Sequence, residues 1–171
     1  MSEQGIHPTA IIEEGVEIGS GTVIWDGVHI RHGAAIGRDC IIGEKTYIAY
    51  DVRIGNLCKI NGHVSICAGV EVGDGCLIAS HVVFANELYP RATDPEITRL
   101  LPSEPTDQTL LTKVGKGVSI GANATIGPGI TLGDFCMVGM GAVVTENVPE
   151  FGLVVGNPAR LIGHVDHGGR Q

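Results

Sequence analysis

Residues 36–60 read IGRDCIIGEKTYIAYDVRIGNLCKI, and an isoleucine returns at every sixth position from 36 onward. The same step continues in both directions along the chain without a slip. It meets a large apolar residue at Ile6, Ile12, Ile18, Ile24, Ile30, Ile36, Ile42, Ile48, Ile54, Ile60, Ile66, Val72, Ile78 and Phe84. It resumes at Val114, Ile120, Ile126, Leu132, Val138 and Val144. A helix of 3.6 residues per turn cannot keep every sixth residue on one face, and a plain strand alternates every two residues.

Each hexad carries two further marks. A small apolar residue follows four positions after the large one, as at Val28, Val64 and Val82, and glycine often follows directly, as at Gly37 and Gly55. Three such hexads close one triangular coil, and successive coils stack at the parallel-strand spacing of about 4.8 Å. The pattern predicts an all-β, single-domain parallel β-helix. Its coils run over about 5–85 and 114–148, a loop spans about 86–113, and a tail covers 149–171 with a polar end expected to fray from 164.

Composition agrees with this architecture and excludes some functions. Aromatic residues make up only 4% of the chain, whereas glycine, which tight corners need, occurs 26 times. The formal net charge of −8 argues against a broad basic surface for nucleic acid. No run of about 18 apolar residues predicts a membrane span, and the N-terminus lacks a signal pattern, so we expect a cytoplasmic protein.

The cysteines follow the same repeat. Cys40, Cys58 and Cys76 recur every three hexads, one per coil, at the small inward position, and Cys136 holds that position later in the chain. We expect these four to act as small buried hydrophobes and not as ligands or disulfide partners. Cys67 lies outside their column.

The repeat breaks only once, between Asn86 and Lys113. The stretch is polar and contains four prolines, so it predicts a long loop that leaves the prism wall. Loops of this length in a compact domain are usually functional, and this one is expected to form a wall of a cleft.

These features together resemble the hexapeptide-repeat acyltransferases: hexads, one interrupting loop, two further coils and the terminal segment GNPAR at 156–160. The resemblance, not the spacing, implies left-handed coiling, because ordinary parallel crossovers are right-handed. The stretch 59–91, with FAN at 84–86 and PR at 90–91, is similar to N-acetyltransferases of nucleotide-linked 3-amino sugars. That resemblance implies a homotrimer with active sites between subunits, acetyl-CoA as donor, and a 3-amino-deoxyhexose carried by dTDP or UDP as acceptor.

The same resemblance implies a donor site along the C-terminal coils. Coil edges offer backbone N–H and C=O groups to the pantetheine arm, and the basic side chains nearby can meet phosphates. The residues expected there are Lys113, Lys116, Ala122, Gly141, Ala142 and Arg160. No metal is expected.

Transfer of an acetyl group to an amine needs a neutral amine and a route for its proton. Some relatives use a loop histidine, but residues 87–112 contain none. Two routes stay open. His63 and His81 are separated by three hexads, so they stack on adjacent coils and could supply a base. Alternatively Asn86 orients the amine and no protein base is used. Glu87, Tyr89 and Arg91 are expected to contact the substrate, Arg91 at the diphosphate.

Three alternatives remain at this point. A γ-type carbonic anhydrase is a zinc enzyme on this fold, but its histidine pair five residues apart is missing around His63 and His81. A non-catalytic trimer scaffold would bind no coenzyme A. An acetyltransferase acting on another small amine or hydroxyl would keep the donor and change the acceptor.

Overall fold

The computed structural model describes residues 5–171 and shows a triangular prism of short parallel strands. Before the loop the strands are β1 (Gly5–Ile6), β2 (Ile11–Ile12), β3 (Glu17–Ile18), β4 (Val23–Ile24), β5 (His29–Ile30), β6 (Ala35–Ile36), β7 (Ile41–Ile42), β8 (Tyr47–Ile48), β9 (Arg53–Ile54), β10 (Lys59–Ile60), β11 (Ser65–Ile66), β12 (Val70–Val72), β13 (Leu77–Ile78) and β14 (Val83–Phe84). After it come β15 (Thr112–Val114), β16 (Ser119–Ile120), β17 (Thr125–Ile126), β18 (Thr131–Leu132), β19 (Met137–Val138), β20 (Val143–Val144), β21 (Gly152–Val155) and β22 (Arg160–His164).

The strands form three sheets, which are the three faces of the prism. Face 1 has the order β1-β4-β7-β10-β13-β16-β19-β21-β22, face 2 the order β2-β5-β8-β11-β14-β17-β20, and face 3 the order β18-β15-β12-β9-β6-β3. Ile60 pairs with Ile42 and Ile78, so neighbouring strands on a face are separated by three hexads, which is one full coil. The predicted parallel β-helix is confirmed.

From Ile24 onward, the interior is filled by the large residue of each hexad. On face 2 the column passes through Ile30, Ile48, Ile66, Phe84 and Ile126, each with no more than 1% of its surface exposed. Phe84 is the one aromatic member of this column among the residues described, and it stands directly before the loop.

A second inward column explains the regularly spaced cysteines. Cys40, Cys58, Cys76 and Cys136 are all buried. The Cys40 thiol donates to the Gly55 carbonyl at 3.2 Å, and the Cys76 thiol donates to the Gly115 carbonyl at 3.0 Å. Burial, together with the charge of Asp134, raises the pKa of the Cys136 thiol to about 12. The structural interpretation of these four cysteines is confirmed.

Glycine serves the prism in two ways. It occupies many corners at positive φ, as expected, for example at Gly75 (70°). A Cβ at Gly43 would lie 2.5 Å from the backbone nitrogen of Gly62 on the next coil, so the repeated glycine allows coils to approach closely. Other corners hold non-glycine residues at positive φ, as at Leu57 (58°) and His63 (60°). Stacking against the coils on either side holds these left-handed corners in place.

The chain ends in an antiparallel hairpin. Strand β21 adds to face 1 beside β19, and β22 then turns back along it. The expectation that residues 164–171 fray is wrong, because Val165 is 7% exposed and its N–H donates to the Phe151 carbonyl at 2.8 Å. Asp166 accepts hydrogen bonds from the backbone of Gly168 and Arg170 and so fixes the last turn.

Within residues 5–171, no helix has the length and apolar character needed to cross a bilayer.

Candidate active site

The loop of residues 85–111 leaves the prism at the corner between faces 2 and 3. It starts after β14 on face 2 and ends at β15 on face 3, where the Thr112 N–H donates to the Gly69 carbonyl at 2.7 Å. Asp94 organises its middle, since the Thr98 backbone and hydroxyl donate to this carboxylate at 2.7 and 2.6 Å. The hydrogen bonds from Thr98 lower the pKa of Asp94. The loop therefore has a defined conformation and folds back toward the earlier coils.

A cleft of about 410 Å³ opens between this loop and the edge of face 2. We call it the face-2 cleft. It is lined by Tyr47, Ala49, Tyr50, Cys67, Ala68, Asn86, Glu87, Arg91, Ala92, Leu100, Leu101, Pro102 and Ser103. Its floor is made of the small side chains that follow the inward isoleucines, and its outer wall is the loop, as the sequence predicted.

Three of the predicted substrate residues come together in this cleft. Asn86 supplies an amide, Glu87 a carboxylate and Arg91 a guanidinium, all near the start of the loop. The pKa of the Cys67 thiol, on the floor of the cleft, is raised by burial and by the negative charge of Glu87. Tyr89 is 89% exposed and lines a neighbouring depression of about 480 Å³, shared with Asn86, Glu87 and Arg91. The cleft thus offers an amine or hydroxyl several polar partners.

The two candidate histidines form a stacked pair on a different corner. The rings of His63 and His81 are 4.9 Å apart between centroids and 12° from parallel, as their spacing predicted. Both lie at the corner between faces 1 and 2, whereas the loop departs from the corner between faces 2 and 3. The pair therefore does not lie beside the loop within one chain. The two corners are separated by the width of face 2, roughly 15–20 Å.

The predicted donor residues divide between two regions. Gly141 stands on the same corner as the histidine pair, two coils beyond His81, and its N–H donates to the Ala122 carbonyl at 2.9 Å. The terminal segment reaches this place too, since the Ala159 N–H donates to the Val143 carbonyl at 2.8 Å, and Arg160 follows with an exposed side chain. Histidines, coil edges and terminal segment thus run along one prism edge, here called the histidine edge.

The other three donor candidates present no side chain at the histidine edge. Ala142 points inward with 0% exposure, so only its backbone can meet a ligand. Lys113 is an outward residue of β15 on face 3. Lys116 lies beyond it, with Nζ 3.4 Å from Asp134 Oδ2. The two lysines and the histidine edge do not converge in a single chain.

Sequence reasoning missed a polar cluster next to the face-2 cleft. Glu13 accepts the backbone N–H of His32 at 2.9 Å, lies 3.0 Å from His29 Nε2, and has Oε1 2.7 Å from Arg31 Nε. The His32 backbone bond is the largest cause that lowers the pKa of Glu13 to about 2. The signal was present: Glu13 and Arg31 are separated by three hexads and hence stacked, in the column that continues to Ala49 and Cys67.

No group of three or more His, Cys, Asp or Glu side chains in the described part of the chain converges in a way that could hold a metal ion.

Comparison with known proteins places the chain among repeat proteins of this kind. The family model for the bacterial transferase hexapeptide (six repeats) matches residues 15–50 and 51–86, and that for the hexapeptide repeat of succinyl-transferase matches 112–146. The chain belongs to the hexapeptide-repeat family. Its prism is the left-handed parallel β-helix that the resemblance implied. In this hexapeptide-repeat chain, the matches before the loop end at residue 86 and the match after it begins at residue 112, so the loop lies between the matched segments.

Individual relatives share the fold or a segment of sequence. The dTDP-3-amino-3,6-dideoxy-alpha-D-galactopyranose 3-N-acetyltransferase of Aneurinibacillus thermoaerophilus is 52% identical over 54 residues, which are 32% of this chain and 28% of that protein. The match thus spans less than a third of the curated relative. PerB from Caulobacter crescentus, solved with CoA and GDP-perosamine, aligns over 94% of this chain and 58% of its own at 23% identity and a TM-score of 0.57. AntD, an N-acyltransferase from Bacillus cereus solved with dTDP and 3-hydroxybutyryl-CoA, aligns over 95% and 80% at 20% identity and a TM-score of 0.57.

Proposed function

We propose that this protein is an acetyl-CoA-dependent N-acetyltransferase, working in the cytoplasm on the amino group of a nucleotide-linked sugar, a 3-amino-deoxyhexose carried by dTDP or UDP. The observation that carries the proposal is the face-2 cleft, where Asn86, Glu87 and Arg91 converge against the prism wall. The name of the Aneurinibacillus relative supports the acceptor, and the ligands of PerB and AntD support a CoA donor with a nucleotide acceptor.

The proposal includes a homotrimer, because the geometry of one chain separates the two halves of the site. The acceptor cleft lies at the corner between faces 2 and 3, and the histidine edge with the terminal segment lies at the far side of face 2. A neighbouring prism that packs its histidine edge against this cleft would bring the thioester to the amine. Lys113 and Lys116, on face 3 and its edge, would then serve the donor bound between two copies.

The reaction is attack of a neutral amine on the thioester carbonyl. The C–N bond forms, the C–S bond breaks, and the amine loses a proton as coenzyme A leaves as a thiol. Asn86 holds the amine in line with the carbonyl, and such positioning can contribute several kcal/mol through effective molarity. Arg91 pairs with the diphosphate. The proton goes either to a histidine of the neighbouring His63–His81 pair or to the departing thiolate and solvent.

The test is to incubate the protein with acetyl-CoA and a panel of dTDP- and UDP-linked 3-amino and 4-amino sugars. Thiol release is followed and products are identified by mass. We expect turnover with a 3-amino sugar nucleotide and a gain of one acetyl group. Thiol release only with small free amines or hydroxyls would refute the nucleotide-sugar acceptor but leave acetyl-CoA as the donor. The absence of both turnover and coenzyme A binding would refute the proposal and leave the scaffold or zinc alternatives.

Variants then separate the two proton routes. We expect Asn86→Ala to lower kcat/KM about 100-fold, with Asn56→Ala as matched control, since the Asn56 side chain accepts the Arg38 N–H at 3.0 Å on another edge. If a histidine is the base, His63→Ala or His81→Ala lowers kcat by about 10²–10⁴. If neither does, the base-free route holds.

A further inference from the structure

The wall of the face-2 cleft nearest the N-terminus consists of two tyrosines. Tyr47 is the outward residue of β8, and Tyr50 follows at the turn after that strand. Both are partly exposed and line the cleft, while the floor beside them is formed by the small residues Ala49 and Ala68. A planar group can therefore lie flat against the wall without meeting a bulky floor.

The Tyr50 ring is supported from the coil before it. The guanidinium carbon of Arg31 lies 4.3 Å from the ring centroid, and Arg31 Nη2 donates a hydrogen bond to the Tyr50 hydroxyl. The His32 ring packs against the same tyrosine at 4.7 Å between centroids, tilted by 57°. Cation and ring contacts of this kind fix the plane of an aromatic side chain.

Tyr47 is supported in a parallel manner, and both supports meet at one carboxylate. The His29 ring meets Tyr47 edge-on at 5.7 Å and 82°. Glu13 binds His29, Arg31 and the His32 backbone, as described above. One partly exposed carboxylate on the first coils thus orients every group that packs beneath the two rings.

The position of this wall matches the size of a nucleotide-linked sugar. Tyr50, Ala68 and Asn86 recur every three hexads and stack in one column, so Tyr50 lies two coils from Asn86, about 10 Å along the prism. With an amine at Asn86 and a diphosphate near Arg91, the group at the far end of the ligand is its base. Nucleobases stack on tyrosine rings irrespective of sequence because every base has a π-face.

We propose that Tyr47 and Tyr50 form a stacking subsite for the nucleobase of the acceptor, and that Glu13 is the positioning residue that holds this wall. The inference rests on the proposed function for the identity of its ligand. It adds to that function where the base lies and which side chains orient it.

The test uses the nucleoside diphosphates alone, so that it does not depend on turnover. Binding of dTDP, UDP and GDP is measured by calorimetry, with inorganic pyrophosphate as a probe without a base. We expect Tyr50→Leu to weaken the best diphosphate about 10- to 100-fold, Tyr50→Phe to retain most affinity, and pyrophosphate and coenzyme A to bind both variants as they bind the wild type. Unchanged thermal unfolding of Tyr50→Leu confirms that the prism is intact.

Three outcomes overturn the subsite. Wild-type diphosphate affinity in Tyr50→Leu and Tyr47→Leu shows that the base lies elsewhere. An equal loss for pyrophosphate shows that the wall serves the phosphates. Failure of the proposed function is distinguishable, because diphosphate binding that depends on Tyr50 would stand even if no amino sugar were acetylated. If no diphosphate binds the wild type while coenzyme A does, the subsite is refuted and the donor assignment is kept.

The positioning role of Glu13 has its own readout. We expect Glu13→Ala to raise the KM for the nucleotide sugar about tenfold with kcat within twofold, and Glu13→Gln, which can still accept the His32 N–H, to recover part of the loss. Glu14→Ala, the exposed neighbour, is the matched control. A fall in kcat, or a KM change as large for the control as for Glu13→Ala, would contradict the assignment.

Discussion

Replacing Phe84 by alanine tests the packing on which the face-2 cleft depends. The ring is fully buried and stands between Ile66 and Ile126 in its column, just before Asn86. Its removal leaves roughly 100 Å³, which at about 24 cal/mol per Å³ costs about 2.4 kcal/mol for the cavity. The lost burial adds about 1.5–2 kcal/mol. We therefore expect the free energy of unfolding to fall by about 4 kcal/mol.

The assay is urea unfolding followed by far-ultraviolet circular dichroism and by the fluorescence of Trp25, the only tryptophan of the chain. With an m-value of about 2 kcal/mol/M, the midpoint moves down by about 2 M. Phe84→Ile, which restores the regular hexad, should cost only about 1 kcal/mol. Val83→Ala is the matched control, because Val83 is the outward, 41% exposed neighbour on the same strand. A loss below about 1 kcal/mol for Phe84→Ala, or one equal to that of Val83→Ala, would refute the packing argument.

Three further predictions follow from the prism. The first is that Gly43→Ala, whose Cβ would lie 2.5 Å from the next coil, lowers the free energy of unfolding by about 2–3 kcal/mol in a urea titration. The control is Gly5→Ala, whose Cβ would have its nearest atom at 3.6 Å and should change stability by less than about 1 kcal/mol. Equal effects of the two substitutions would contradict the close approach of the coils at Gly43. The folded-state pKa of Glu13 is depressed to about 2, so its carboxylate stabilises the fold above its ordinary pKa of 4.5, and this contribution is lost as pH falls from about 4.5 to 2. Unfolding titrations should show the difference between wild type and Glu13→Gln constant above about pH 5 and shrinking below it; a difference that grows on acidification would reverse the sign. A thiol reagent should label only Cys67 in the folded protein, and slowly, because the other four cysteines are buried and the pKa of the Cys67 thiol is raised. Cys67→Ser should abolish the labelling. Labelling of two thiols before unfolding would contradict the burial of the four cysteines in their inward column.

The sequence was sufficient for the prism because its fold is a one-dimensional repeat. A step of one hexad located the column of large inward residues, and a step of three hexads stacked His63 on His81 and the cysteines in their column. The end of the loop was predicted closely: the coils were expected to resume at Val114, and β15 begins at Thr112. Contacts between neighbouring coils are local in this architecture, so spacing alone determines them.

The site was harder to predict, because it depends on which columns lie beside each other and on how the loop folds. Asn86, Glu87 and Arg91 were found through resemblance and meet in the cleft. The cluster around Glu13 escaped notice, because its members are ordinary polar residues and gain meaning only when the columns of face 2 are laid side by side. The ordered C-terminal end was missed because its polar composition conceals the packing of Val165.

The loop also changes how far apart along the chain two stacked strands lie. Ile60 and Ile78 are separated by three hexads, but Val72 and Val114 by seven, and the same longer separation holds on all three faces at this level. Closing the longer segment costs about 0.7 kcal/mol more in chain entropy, so winding of the coils slows at this one junction. During synthesis the coils up to Phe84 can assemble while the rest of the chain is still being made, and the later coils then add to a finished template. The loop that forms one wall of the proposed ligand cleft is thus also the segment at which folding of the prism would pause.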